Sequence, residues 1–174
     1  MRRTPLLLFA SFLTVVLSTS ISAQSLGKET LRGLKGVYVL VENLDADTER
    51  AGLWKSQIQT DAELKLRKAG VRVATETESI NDYGFATLYI NVGTNSLKGS
   101  NTGLYAFNVT IQAEQMARLA RLPATLPPVV SVTYEVIGQF GTVGESHLRD
   151  QLRSVVNDGI DTFLNDYLAV NPKP

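Results

Sequence analysis

The chain contains no cysteine. That excludes disulfides, thiolate nucleophiles and cysteine metal sites. It also leaves no residue for a lipid anchor attached at a cysteine beside a cleavage point. Histidine occurs once, at His147, so a metal site would need carboxylate partners, and none shows metal spacing. Neither sign of charge dominates. Basic and acidic residues number 17 each, and no basic excess points to nucleic acid or to an anionic membrane surface. No apolar run reaches the ~20 residues that span a bilayer. The longest, within Pro5 to Leu17, stops well short.

The start of the chain reads as a leader. Arg2 and Arg3 supply a positive end, Leu6 to Val16 is almost wholly apolar, and Ser18 to Ala23 is small and polar. Ile21 and Ala23 suit the −3 and −1 positions of a signal peptidase site, so residues 1–23 read as a signal peptide cut before Gln24. The paired arginines lack the fuller twin-arginine pattern. Without Arg2 and Arg3, 15 basic residues face 17 acidic ones, a formal charge of −2 for the mature chain. Its ~150 residues suffice for one core and must be stable without disulfide staples. The expected localisation is exported, periplasmic or extracellular, with no stable membrane insertion after the leader is removed.

The expected layout is a polar, flexible lead-in over 24–36, a single domain over 37–170 and a tail over 171–174. Val37 to Val41 is a continuous β-favouring run, which suggests a strand covered on both faces. A first helix is predicted from Thr48 or Glu49 to Ala69, with Trp54, Ile58, Ala62, Leu66 and Ala69 as its apolar stripe and Leu53 and Leu64 beside it. Acidic residues at its start and basic ones at its end suit the helix dipole, and Gly70 is a natural stop. Val71 to Val73 reads as a short strand, and Thr75 to Tyr83 as irregular. Ala86, Leu88, Ile90 and Val92 alternate with polar neighbours, as do Tyr105, Phe107, Val109, Ile111 and Ala113, which predicts an antiparallel hairpin. Leu122 to Pro128 carries three of the six prolines and is a loop. A further strand is expected over Val130 to Val136, a turn over Gly138 to Gly144, and a last helix from about Val143 to Leu168, opened by a Thr142–Glu145 capping box. Its predicted stripe is Leu148, Leu152, Val155, Val156, Gly159, Ile160, Phe163 and Tyr167.

The fold class that follows is α+β, in the order β-α-β-β-β-β-α: a twisted, largely antiparallel sheet with two amphipathic helices packed on one face. The other face would carry Tyr89, Asn91, Asn108, Thr110, Gln112, Glu135 and also Thr133. It is the candidate binding face.

The chemical motifs each have a plainer reading. Gly138, Gly141 and Gly144 before a helix invite a phosphate-cradling loop, but the spacing is neither a dinucleotide fingerprint nor a P-loop. A turn with positive φ and a helix cap is expected instead. Asn43, Asp45, Asp47 and Glu49 alternate as calcium ligands do, yet Thr48 and Trp54 stand where an EF-hand needs Gly and Glu. They read as an acidic helix start. His147 follows Ser146 directly, and a triad through Asp150, Asp158 or Asp161 has no nucleophile-elbow motif behind it. Asp158 and Asp166 lie on the polar face of the last helix, where paired carboxylates would need a cleft to do acid–base work. Asn108-Val109-Thr110 spells a glycosylation sequon inside a strand. No cofactor is expected, and no catalytic residue is assigned.

The tail from Phe163 to Pro172, FLNDYLAVNP, looks like the C-terminus of a group of small exported bacterial proteins without assigned function, a likeness that extends to the first helix. The order of elements is similar to that of the TolB N-terminal domain and of LptE-like envelope proteins. The resemblances imply an envelope protein, and carry no functional residue across. LptE-like proteins are usually lipid-anchored, and the missing cysteine departs from that pattern. The expected function is therefore a non-catalytic binding or assembly module of the bacterial envelope with an envelope protein as partner. The alternatives are a small periplasmic hydrolase using His147 and the helix carboxylates, and a homo-oligomeric structural component joined through strand edges.

Overall fold

A computed structural model describes residues 27–97 and 103–172. Residues 1–23, read above as a leader, lie outside the described residues.

Strand β1 (Gly36–Val41) buries Val37, Val39 and Val41 on one side and half-covers Tyr38 and Leu40 on the other. The continuous apolar run thus marks one deep face and one shallow face. The single first helix predicted from 48 or 49 to 69 is two helices, α1 (Ala46–Arg50) and α2 (Lys55–Lys68). Gly52, at φ +85°, takes the left-handed turn that ends α1. Trp54 is then extended and caps α2, its N–H donating to Gln57 Oε1 at 3.2 Å. This removes Trp54 from the core stripe and leaves it half exposed, while Leu64 also faces water. Ile58, Ala62 and Leu66 keep the stripe, and Leu53 in the break is fully buried.

Gly70 stops α2 as expected, at φ +80°. The strand expected over Val71 to Val73 reduces to one parallel bridge, Val37 to Val73. The stretch read as irregular contains helix α3 (Glu76–Asn81). Its start is a reciprocal cap: Thr75 Oγ1 accepts from the Glu78 N–H, and Glu78 Oε2 accepts from the Thr75 N–H at 2.8 Å.

Strands β2 (Phe85–Ser96) and β3 (Leu104–Ala117) form the predicted hairpin, with Leu88 opposite Ala113, Ile90 opposite Ile111 and Val92 opposite Val109. Strand β4 (Val129–Gly144) corrects the prediction most. The expected glycine turn over 138–144 is extended strand, paired with β3 through Asn108–Phe140, Phe107–Gly141 and Leu104–Gly144. A register shift between Val109 and Ile111 of β3 interrupts the alternation there, so the composition reads as a turn although the long β3 supplies a full ladder. The chain then makes one 3₁₀ turn (Glu145–His147) and enters α4 (Leu148–Val170). Thr142 pairs with Ala106 in the sheet, so the Thr142–Glu145 capping box does not form.

The sheet order is β1-β2-β3-β4, with β1 parallel to β2 and the remaining pairs antiparallel. Helix α2 packs on β1, α4 packs on β3 and β4, and the two helices touch each other. All eight predicted stripe positions of α4 are buried. Gly159 is the point of closest approach: a Cβ there would lie 2.5 Å from Ile111 Cδ1. The described part of the lead-in is docked, contrary to the expected flexible segment. Leu31 is fully buried. Asn171 Nδ2 donates to Leu31 O at 2.8 Å, Asn171 Oδ1 accepts from the Gly33 N–H at 2.7 Å, and Tyr167 OH donates to Leu34 O at 2.9 Å. The buried core cluster runs from Leu31 to Val170, so a chain beginning at Gln24 retains all of it.

Candidate functional site

Because side chains alternate along a strand, β-register decides which residues share the face away from the helices. Leu40, Tyr89, Gln112 and Glu135 form one row across all four strands. Asn91 pairs with Thr110, and Gly93, Asn108 and Phe140 make a further row. The six residues of the candidate binding face therefore lie on one side. Thr133 does not join them. A register shift at Ala113 and Glu114 puts Val132 opposite Glu114. Thr133 Oγ1 instead donates to Ala113 O and accepts from Gln115 Nε2 at 2.6 Å.

The polar groups of this face are partly committed to one another. Tyr89 OH donates to Glu42 Oε2 at 2.8 Å. That bond, then burial, raises the phenol above its ordinary range. Asn108 lies over Gly93, where a Cβ would meet its Oδ1 at 2.4 Å. Its sequon sits on a ladder-paired strand, although the side chain is exposed. Phe140 beside it is 86 % exposed.

At the end of the face where β1 and β2 begin, a cleft of about 360 Å³ opens. Phe85 and Met116 line it together with Thr87 and Glu114, and Ile80, Tyr83 and Val130 stand around it at 66, 62 and 66 % exposure. Arg72 stacks over the Phe85 ring at 4.9 Å and pairs with Glu78 Oε1 at 2.5 Å. The backbone of Thr75, then its hydroxyl, holds the Glu78 carboxyl below the usual carboxylate range. Hydrogen bonds from Lys35 and from the Gly84 backbone do the same for Asp82. Sequence reading missed this cleft because Ile80 and Tyr83 gain their position from α3. Thr87 and Glu114 were legible as outward positions of alternating strands.

The catalytic candidates do not converge. His147 and Ser146 are both exposed on the 3₁₀ turn. Asp150 pairs with Arg149 at 2.8 Å and Asp161 with Lys65 at 2.6 Å. Asp166 accepts from Tyr134 OH at 2.8 Å and pairs with Lys28 at 3.1 Å. Asp158 is exposed. In the 43–49 segment Asp45 Oδ2 accepts from the Thr94 N–H at 2.8 Å and Asp47 pairs with Arg50, so both carboxylates serve the local fold. Among the described residues no group of three or more His, Asp or Glu side chains could hold a metal ion, and no helix is long and apolar enough to cross a membrane.

No protein-family model matches the chain, and no curated protein is similar enough to be matched to it.

Proposed function

We propose that the chain is an exported binding module of the cell envelope, acting through the open face of its sheet rather than by catalysis. The supporting observation is the cleft at one end of that face. Ile80, Tyr83 and Val130 remain largely exposed around Phe85 and Met116. Contiguous exposed apolar side chains of this kind mark interaction sites. Two polar rows, Gln112 with Glu135 and Asn91 with Thr110, extend from the cleft and would orient a partner, since interface rims are polar and hydrogen-bonding. Such a surface suits an envelope protein that inserts an apolar side chain. The leader pattern over 1–23 supports a partner beyond the inner membrane.

The test is capture from envelope extracts with the chain from Gln24 onward, in parallel with a Tyr83→Ala, Val130→Asp variant. Any captured protein is then purified and titrated against both forms. Direct binding that the variant weakens tenfold or more supports the reading. No direct binder, or one bound equally by the variant, overturns it.

One observation favours a second reading, homo-oligomerisation. Strand β4 spans 16 residues, forms one edge of the sheet and carries one charge, Glu135, with neither proline nor lysine. Long edges in monomers usually carry such protection. Light scattering of the chain from Gln24 onward decides between a monomer and a larger species. The hydrolase alternative draws no support from an exposed His147 and from carboxylates of which Asp150, Asp161 and Asp166 are paired elsewhere.

A further inference from the structure

The even charge balance of the whole chain hides a local excess. From Gln115 to Tyr134 there is no Asp or Glu, and the segment carries Arg118 and Arg121. It spans the end of β3, the connection over 118–128 and the start of β4. Here Leu119, Leu122, Leu126 and Val129 are 42, 45, 47 and 50 % exposed. They share an apolar hollow with Pro123 and Pro127, so the exposure is contiguous rather than scattered.

The loop is built to hold these leucines outward. The Arg118 guanidinium turns back and donates to Ala124 O at 2.8 Å and to Leu126 O. Two tight turns close within it, Leu122 N–H to Leu119 O at 2.9 Å and Leu126 N–H to Pro123 O at 3.1 Å. Pro123, Pro127 and Pro128 restrict the backbone further. With Arg118 engaged inward, Arg121 is the loop's outward charge. Rigid apolar side chains beside a cation, free of carboxylates, match the boundary of an anionic bilayer: leucines enter the acyl edge while arginine meets headgroup phosphate.

We propose that this β3–β4 tip docks reversibly on an anionic phospholipid surface. A few side chains and one or two charges give weak, salt-sensitive attachment, well below the strength of a membrane-spanning helix. The docking is independent of any protein partner at the cleft.

The experiment is sedimentation of the chain from Gln24 onward with vesicles of phosphatidylglycerol mixed with phosphatidylcholine, against vesicles of phosphatidylcholine alone. Binding is expected to the anionic vesicles, to fall with added salt, and to weaken about tenfold or more in a Leu122→Ser, Leu126→Ser variant. Arg121→Glu should also weaken it. Phe140→Ser, at the other end of the sheet, should leave it unchanged. A second measurement uses Leu122→Trp in a Trp54→Phe background, where the indole introduced at the tip is the sole tryptophan and its fluorescence should shift blue on the anionic vesicles. Absence of vesicle binding, binding equal in the tip variants, or equal loss on Phe140→Ser overturns the proposal. So does an indole emission at the tip that the vesicles leave unchanged.

Discussion

Helix α4 reaches the sheet only because position 159 has no side chain. In Gly159→Ala the new methyl carbon would sit 2.5 Å from Ile111 Cδ1, inside any normal contact. Ile111 is 2 % exposed, and the free space between Val109, Ile111, Val136 and Val155 is about 10 Å³, no more than a single water needs. The ethyl arm of Ile111 therefore has nowhere to go. Overpacking of this kind costs about 1–3 kcal/mol. Alanine in a helix interior returns about 1 kcal/mol relative to glycine. The expected net effect is a loss of about 1 kcal/mol. Ile111→Val removes the clashing Cδ1 and by itself costs about 0.5–1.5 kcal/mol. In that background the nearest remaining atoms are Ile111 Cγ1 at 3.6 Å and Val136 Cγ1 at 4.0 Å, both ordinary contacts. Gly159→Ala should then stabilise by about 1 kcal/mol, so the substitution changes sign with a coupling of about 2 kcal/mol. Urea denaturation of the four members of the cycle measures it. A Gly159→Ala effect of the same sign and size in both backgrounds refutes the reasoning, because the close approach would then not govern the packing.

Three further outcomes are expected. Tyr134→Phe deletes the hydroxyl bond to Asp166 and should cost about 1 kcal/mol in denaturation. Burial first, then that bond, pushes the Tyr134 phenol well above its ordinary 10.0. The unfolded chain thus loses this proton near pH 10 while the folded chain keeps it, so stability is fully present below pH 10 and declines above it. The decline should be shallower in Tyr134→Phe, and an unchanged alkaline slope would count against the assignment. Thr75→Ala removes the reciprocal cap of α3 and should cost about 1 kcal/mol locally, seen as faster amide exchange over Glu76–Asn81 with α4 unaffected. Trp54, half exposed at the start of α2, should be readily quenched by iodide, and protection like that of a core residue would restore the single-helix reading of 48–69.

The parts of the fold legible in the sequence are those where a local period coincides with the buried face. The β2–β3 hairpin and the α4 stripe were read residue by residue, because alternation and helical spacing each persist over several turns or pairs. Reading failed where one residue or one distant partner overrides composition. Gly52 splits a stripe that otherwise continues through Trp54. The Thr75–Glu78 cap was written in the sequence, yet its short helix has no buried residue to announce it. The glycines at 138, 141 and 144 look like a turn until β3 pairs with them. Six face residues were placed correctly by alternation alone, whereas Thr133 was lost to a register shift that no period records. The β3–β4 loop was recognised from its prolines, but the outward direction of its leucines was not.

The amino-acid sequence by itself determined the absence of disulfides, the α+β class and which side of β2, β3 and α4 meets the core. Each follows from composition or from a period of two or 3.6, which are local properties. Only the tertiary structure decided that β4 continues to Gly144, that Arg118 folds back to turn three leucines outward, and that Ile80, Tyr83 and Val130 meet around one cleft. Those depend on strand register and on contacts between residues distant in the chain, which no local period encodes.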